Sequence, residues 1–252
     1  MFRAIIERCF PKYSPMFCHQ SAPHSKLMKT IVIVIPVYNE AKVLGSVIEE
    51  VRAHGYEHIV VVDDGSADES YLIATAHDVL ALRMKINRGK GAAVKTGIMA
   101  ANLLGADIVV TMDGDGQHDP ADIQPLIAPI LADNSDVVLG SRLLNREAMP
   151  FIKTLANSFG NFVTWLFYGL LVSDSQSGFR AYSRYAALII DTKADKYEYD
   201  SKVIREIKSN RLRFTEVPVQ TRYTEYARTK KNKQGLINGI ITLYRMIWKL
   251  IA

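Results

Sequence analysis

The sequence predicts an α/β protein: a mostly parallel central sheet with helices on both faces. Three observations carry that expectation, namely short unbroken apolar runs rich in branched residues, helically spaced apolar segments between them, and turn residues at the junctions. Residues 31–35 form such a run and stop at Pro36, as a strand covered on both faces would. Val43, Leu44, Val47, Ile48 and Val51 then recur at helical spacing before Gly55, and residues 59–62 give a second apolar strand ending in Asp63-Asp64-Gly65-Ser66. Ser66 followed three residues later by Glu69 fits a capping box for the next helix. Residues 82–86 alternate like a strand, 91–104 read as an alanine-rich helix, and 108–112 form a fourth strand ending in Asp113-Gly114-Asp115. Asp119-Pro120 opens another helix, and residues 137–139 lead into Gly140-Ser141-Arg142. This alternation favours parallel pairing, which puts ligands at the C-terminal ends of the strands. Polar groups far apart in sequence then converge on one sheet edge.

Composition narrows the class. The 252 residues are 48% hydrophobic and 23% charged, with no low-complexity run, which excludes bulk disorder, collagen and a polytopic membrane protein. The net charge of +5 is uneven, because residues 202–233 hold ten basic and three acidic side chains while the chain before them is acidic overall. The cysteines, Cys9 and Cys18, encode neither a disulfide framework nor a zinc site. Residues 1–27, with Pro11, Pro15 and Pro23, make a poor secretory signal and read as an N-terminal extension or a misassigned start, so the folded domain is expected to span 28–233. Residues 151–172 carry one charge, Lys153, but are diluted by Asn157, Ser158, Gly160, Asn161 and Thr164, which favours a helix on or under a surface. Residues 234–252 read as an amphipathic helix, packed on its own domain or lying at a membrane interface.

Asp113-Gly114-Asp115 sets two carboxylates at the end of a buried strand, with a glycine between them that lets a ligand approach the backbone. Hard divalent cations take oxygen ligands, so this pair suits magnesium or manganese held against a diphosphate, with Gln117 as a further oxygen donor. Asp63-Asp64 ends the neighbouring strand, where it meets donors on a base or ribose, or caps the next helix together with Ser66. Pro36-Val37-Tyr38-Asn39-Glu40 has two readings, a strand end followed by an Asn-Glu helix start or a segment whose Tyr38 stacks on a base. Asn87-Arg88-Gly89-Lys90-Gly91 is a basic turn into a helix that suits phosphate, although it lacks the Gly-Lys-Ser/Thr ending of a P-loop. The dinucleotide fingerprint is missing after the first strand, so ATP hydrolysis and nicotinamide chemistry of those types lose support.

Pro36-Val37-Tyr38-Asn39-Glu40, Asp63-Asp64-Gly65-Ser66, Asp113-Gly114-Asp115-Gly116-Gln117-His118, Gly140-Ser141-Arg142 and Ser177-Gly178-Phe179-Arg180 occur in that order. Together they resemble the family 2 glycosyltransferases, specifically the dolichyl-phosphate mannose or glucose synthase-like branch, from about Lys29 to Lys231. The resemblance implies a GT-A (Rossmann-like) fold, a nucleotide-diphosphate sugar donor linked to UDP or GDP, Mg2+ or Mn2+, and a polyprenyl or dolichyl monophosphate acceptor. It implies that Pro36, Tyr38, Glu40, Val62 and Asp64 line the nucleotide pocket, that Asp113, Gly114 and Asp115 meet nucleotide and metal, and that Asp115 and Gln117 are the leading metal ligands. Arg142 matches an arginine facing the phosphates. The family's later arginine and Ser-Lys pair correspond to Arg222 and Thr229-Lys230, with a spacing two residues longer and threonine for serine, so that Arg228 or Lys231 are substitutes for Lys230. Processive relatives carry a Gln-X-X-Arg-Trp motif that Trp165 and Trp248 do not reproduce, which disfavours a chain-extending synthase.

A lipid monophosphate, with a second pKa of about 6, is largely a dianion at neutral pH and needs no general base. The expected task is to neutralise two anions while the acceptor phosphate displaces the diphosphate with inversion, the metal serving the leaving group and Arg142, Arg222 and Lys230 gripping phosphate oxygens. Glu198 and Asp200 fall near where relatives acting on hydroxyls keep a base, so a saccharide or lipid-linked hydroxyl acceptor stays open, as does a non-catalytic nucleotide-sugar binding module. The basic segment and its apolar flanks suit an anionic membrane surface; nucleic acid is not expected, since Phe214, Tyr223 and Tyr226 form no stacking pattern. The expected location is cytoplasmic, peripheral at the membrane face, in cell-envelope glycan synthesis.

Overall fold

The computed structural model of the chain describes residues 29–144, 165–166, 169–192 and 198–222. Among these, seven strands form one sheet in the order β3-β2-β1-β4-β6-β5-β7: β1 (Ile31–Val37), β2 (Ile59–Asp63), β3 (Leu80–Arg83), β4 (Ile108–Thr111), β5 (Val137–Ser141), β6 (Arg180–Ser183) and β7 (Phe214–Pro218). All neighbours pair in parallel except β6, which runs antiparallel between β4 and β5. The helices are α1 (Ala41–Ala53), α2 (Ser70–Ala76), α3 (Lys90–Leu103), α4 (Ile123–Leu131), α5 (Arg184–Ile189) and α6 (Glu198–Ser209).

Strand alternation divides the core into two layers. Val32, Val34, Val60 and Val62 face one way, onto α3, α5 and α6; Ile33, Ile35, Ile59 and Val61 face the other, onto α1 and α4. With both faces covered, β1 and β2 read as continuous apolar runs rather than alternating ones. At Gly97 α3 packs close on the sheet: a Cβ there would stand 2.2 Å from Val34 Cγ1, so no side chain fits between helix and strand at that point.

Two expectations need correction. The third strand is Leu80–Arg83 rather than residues 82–86, because its ladder is set by β2: Val60 pairs Leu80 and Asp63 pairs Arg83, and after β2 ends Ile86 is 68% exposed. The capping box does not form either. Ser66 Oγ accepts from Asn39 N at 2.9 Å, and Asp68 Oδ1 receives Ser70 N at the start of α2. Asp119 does act as expected, its Oδ1 accepting Ala121 N as Pro120–Asp122 forms a 3-10 turn leading into α4. The expected extension 1–27 and helix 234–252 lie outside the described residues, as does all of 151–172 except Trp165, Leu166 and 169–172. No helix among the described residues is long and apolar enough to cross a membrane.

Candidate active site

The chain runs β1, β2, β3 outward, then returns to place β4 on the other side of β1. That reversal is a topological switch point, where flanking loops part and leave a crevice at the strand ends. Pro36-Val37-Tyr38 leaves β1 here, Asp63-Asp64 leaves β2, and Asp113-Gly114-Asp115 follows β4.

The first two loops are stitched together. Asn39 takes a positive φ of 58°, donates its backbone N–H to Ser66 Oγ and accepts Ala67 N at 2.9 Å through Oδ1; Glu40 N donates to Ser70 Oγ. The paired aspartates then divide their roles. Asp63 Oδ1 accepts Ser66 N and Oδ2 lies 3.2 Å from Arg83 Nε, so Asp63 builds the turn. Asp64 instead accepts the backbone amides of Arg88 and Gly89, both at 2.8 Å, and so draws the basic turn toward the site. Gly89 has φ 104°, a conformation that side chains other than glycine rarely adopt.

Lys90, first residue of α3, follows directly. Its Nζ lies 2.7 Å and 3.0 Å from the two oxygens of Asp113 and 3.8 Å from Asp200 Oδ2. His118 Nε2 is 3.5 Å from Asp113 Oδ2, and its ring rests on Phe179 with centroids 4.8 Å apart. Burial pushes the Asp113 carboxyl up, but the Lys90 charge and the His118 hydrogen bond outweigh it and hold it far below the usual carboxylate range. Burial alone would lower the Lys90 ammonium; Asp113 and Asp200 reverse this and raise it. Arg180 is fully buried behind them, its Nη2 donating to the carbonyls of Ser175 and Asp200 and lying 3.5 Å from Asp200 Oδ1. Burial leaves Asp200 above the ordinary range despite these two cations.

A second pair flanks the first. Arg142, just beyond β5, forms a bidentate pair with the buried Asp174 at 2.7 and 3.0 Å, and its backbone N–H donates to the same carboxylate. Ser173 Oγ and N donate to Glu216 of β7, which holds this loop on the sheet.

Asp115 differs from these acids. Its partners are Gln117 N at 3.1 Å and Gln117 Nε2 at 2.8 Å, both neutral and local, and its side chain is half-buried. The Asp113 and Asp115 carboxylates are oxygen donors of the kind a hard divalent cation takes, and the Gln117 side chain, whose Nε2 donates to Asp115, carries a further amide oxygen on the same loop. Gly114 lets the backbone between the two aspartates pack close against β1, since a Cβ there would meet Val37 Cγ1 at 2.6 Å. The donor set fits such an ion.

Most of the sequence-predicted residues meet here: Tyr38, Asp64, Asp113, Gly114, Asp115, Gln117 and Arg142 stand around the crevice or its loops, and Pro36 and Glu40 are buried beneath. Val62 has no exposed surface, and its side chain packs in the core under α3. Arg222 joins the loop after Asp115, its backbone N–H donating to Gln117 O and its guanidinium pairing with Asp119 at 2.9 Å and with Glu50 of α1. Lys230, Thr229, Arg228 and Lys231 lie outside the described residues, as does the Glu198 side chain. Sequence reasoning missed Asp174 and Arg180 as site builders and weighed Lys90 for phosphate without its carboxylate partner. The available signals were Lys90 directly after Gly89 and the acid-to-arginine run from Asp174 to Arg180.

A doubly wound sheet whose switch point carries paired strand-end carboxylates and buried cations defines a GT-A glycosyltransferase. The chain belongs to glycosyl transferase family 2, whose model matches residues 32–188. It is 40% identical to an uncharacterized protein of Methanocaldococcus jannaschii over 88% of this chain and 90% of that one. It is 37% identical to the UDP-N-acetylglucosamine–dolichyl-phosphate N-acetylglucosaminyltransferase of Methanococcus voltae, with 87% and 95% covered. The fold matches glucosyl-3-phosphoglycerate synthase from Mycobacterium tuberculosis, crystallised with Mn2+, UDP and glucosyl-3-phosphoglycerate, at a TM-score of 0.62 and 18% identity over 82% of this chain and 81% of that one.

Proposed function

We propose that this glycosyltransferase moves a sugar from a nucleoside diphosphate to the phosphate of a polyprenyl or dolichyl lipid, with inversion at the anomeric carbon. The observation that carries the reading is the convergence of Asp64, Asp113 and Asp115 with Lys90 and Arg142 at the β1/β4 crevice, an arrangement suited to two phosphorylated substrates. The name of the Methanococcus voltae relative supports a polyprenyl-type phosphate acceptor and favours a UDP-linked N-acetylhexosamine donor. Asp115, Asp113 and Gln117 would hold Mg2+ or Mn2+, which when bound supplies positive charge to the departing diphosphate.

The chain's own residues do the rest. Asp64 fixes the Arg88-Gly89 turn and thereby aims Lys90 at the crevice. Arg142, held by Asp174 in one orientation, offers a pre-organised guanidinium to phosphate oxygens. Asp200 meets Lys90 and Arg180, so it enters as a charge partner rather than as a base awaiting a hydroxyl. That favours a phosphate acceptor, which arrives already ionised. Residues 28–233 would form the catalytic domain, with Lys230 and the segment from 234 addressing the lipid at the cytoplasmic membrane face.

The test is transfer of label from UDP-N-acetylglucosamine to dolichyl phosphate by the purified chain with Mn2+, read as organic-extractable, acid-labile product. Loss of transfer on chelation is expected, and so is inverted anomeric configuration. Transfer to a hydroxyl acceptor in preference to the lipid phosphate, or product with retained configuration, would overturn the reading.

A further inference from the structure

The two carboxylates assigned to the cation are unequal. One ammonium spans both oxygens of Asp113, at 2.7 and 3.0 Å, whereas Asp115 meets the neutral amides of Gln117. The fold has made room for that ammonium: at Gly178 a Cβ would stand 2.5 Å from Lys90 Nζ and 3.0 Å from Asp113 Oδ1. Asp200 Oδ2, 3.8 Å away, gives the ammonium a second anion to lean on. A carboxylate already covered by a cation is a poor ligand for another, because the two charges repel at contact distance.

We infer that Lys90 is a resident counter-ion competing with the divalent cation for Asp113, and that the donor's diphosphate resolves the competition by drawing the ammonium onto its own oxygens. The inference rests on the reading of Asp113 and Asp115 as cation ligands. Lys90 suits the task, because its ammonium ends a flexible four-carbon stem that pivots without moving α3, whose start is pinned through Gly89 and Asp64. Metal alone then binds weakly, at Asp115 first. Nucleotide strengthens metal binding and, by reciprocity, metal strengthens nucleotide binding by the same factor. The site thereby resists loading with a bare cation and assembles around the nucleotide.

The experiment titrates Mn2+ alone into the purified full chain, following free Mn2+ by electron paramagnetic resonance, and repeats the titration with UDP. Lys90→Met is expected to bind Mn2+ alone roughly tenfold more tightly than the parent, the order of one lost charge-assisted competitor, and to show a UDP enhancement smaller by about the same factor. Lys90→Gln, with near-UV circular dichroism to verify folding, repeats the test should the methionine variant not fold. Mn2+ affinity in both variants equal to or weaker than the parent's, while Asp115→Ala abolishes binding, would overturn the role of Lys90 and leave the metal reading standing. A parent chain that takes up no Mn2+ even with UDP would overturn the metal reading, and this inference with it.

Discussion

Arg142 and Asp174 form a pair whose two halves are unequally buried, and removing one or the other should therefore cost unequal amounts of stability. The Asp174 side chain is fully buried and takes three donors from Arg142, whose own side chain is 24% exposed. Arg142→Ala removes both guanidinium donors and leaves a buried carboxylate with two backbone donors and no counter-charge from residue 142, its own N–H at 3.1 Å and Gln176 N at 3.3 Å. Breaking a buried pair in this sense costs about 3–5 kcal/mol, and the partial exposure of Arg142 argues for the lower end, near 3 kcal/mol. Asp174→Ala strands a guanidinium that reaches solvent and still feels Asp113 and Asp200, so about 1–2 kcal/mol is expected. The double variant should lose less than the two singles added, because the stranded charge disappears with its partner. Urea unfolding at pH 7 measures all three through the midpoint at constant m-value. An Asp174→Ala loss equal to or larger than that of Arg142→Ala, or strict additivity, would refute the claim that a desolvated carboxylate sets the cost. Since a small domain holds about 5–15 kcal/mol in all, either result is well resolved.

Asp115→Ala should abolish metal-dependent transfer, a drop of roughly two orders of magnitude or more, yet leave the unfolding midpoint within about 0.5 kcal/mol of the parent, because its partners are local and neutral. Gly97→Ala should destabilise by about 1–2 kcal/mol, since a Cβ 2.2 Å from Val34 Cγ1 costs more in overpacking than the roughly 1 kcal/mol that alanine gains in helix propensity; a raised melting temperature would contradict the close packing of α3. Stability should also fall in acid. Burial raises Asp174, but Arg142 more than offsets it, and Arg213 hydrogen bonds lower Asp136, so both carboxyls are more acidic folded than unfolded. Their contribution is complete above the unfolded pKa of about 4 and is lost as pH drops through the folded values, so melting temperature should be nearly flat from about pH 6 to 8 and decline below about pH 4. Asp174→Asn should flatten part of that decline.

The sheet was legible because its strands are buried on both faces, which turns them into continuous apolar runs that few other structures explain. What misled was the edge. Residues 82–86 carry the alternating pattern, yet an edge strand lasts only as long as its neighbour, and β2 stops at Asp63, so the ladder closes at Arg83 and Ile86 turns outward. Val62 ends the apolar run beside Asp63, and because alternate residues of a strand face opposite layers its side chain packs onto α3.

The strand-end acids and Arg142 could be read from the sequence, whereas Asp174, Arg180 and the pairing of Lys90 with Asp113 could not, and the difference has a structural cause. Asp64 and Asp113 sit at strand ends, where an acid after an apolar run stands out. The pairings of the site span long separations: Lys90, at the start of α3, lies 23 residues before Asp113, and Asp174, in a loop, lies 32 residues after Arg142. The antiparallel insertion of β6 between β4 and β5 brings Gly178 and Arg180 against Asp113 and Asp200, and a run of four residues that must pair backwards carries little periodic signal. Once the partners are known, the charges can be matched across the crevice. Lys90 serves Asp113 and leans on Asp200, Arg180 also serves Asp200, and Arg142 serves Asp174, which leaves Asp115 with the neutral amides of Gln117. Among the described residues the donors to Asp115, like those to Asp64, are neutral amides, and an acid so placed is where an incoming positive charge gains most. On the proposed reading the Asp-Gly-Asp motif thus acquires a direction in the folded chain, with Asp115 receiving the cation and Asp113 held back by Lys90.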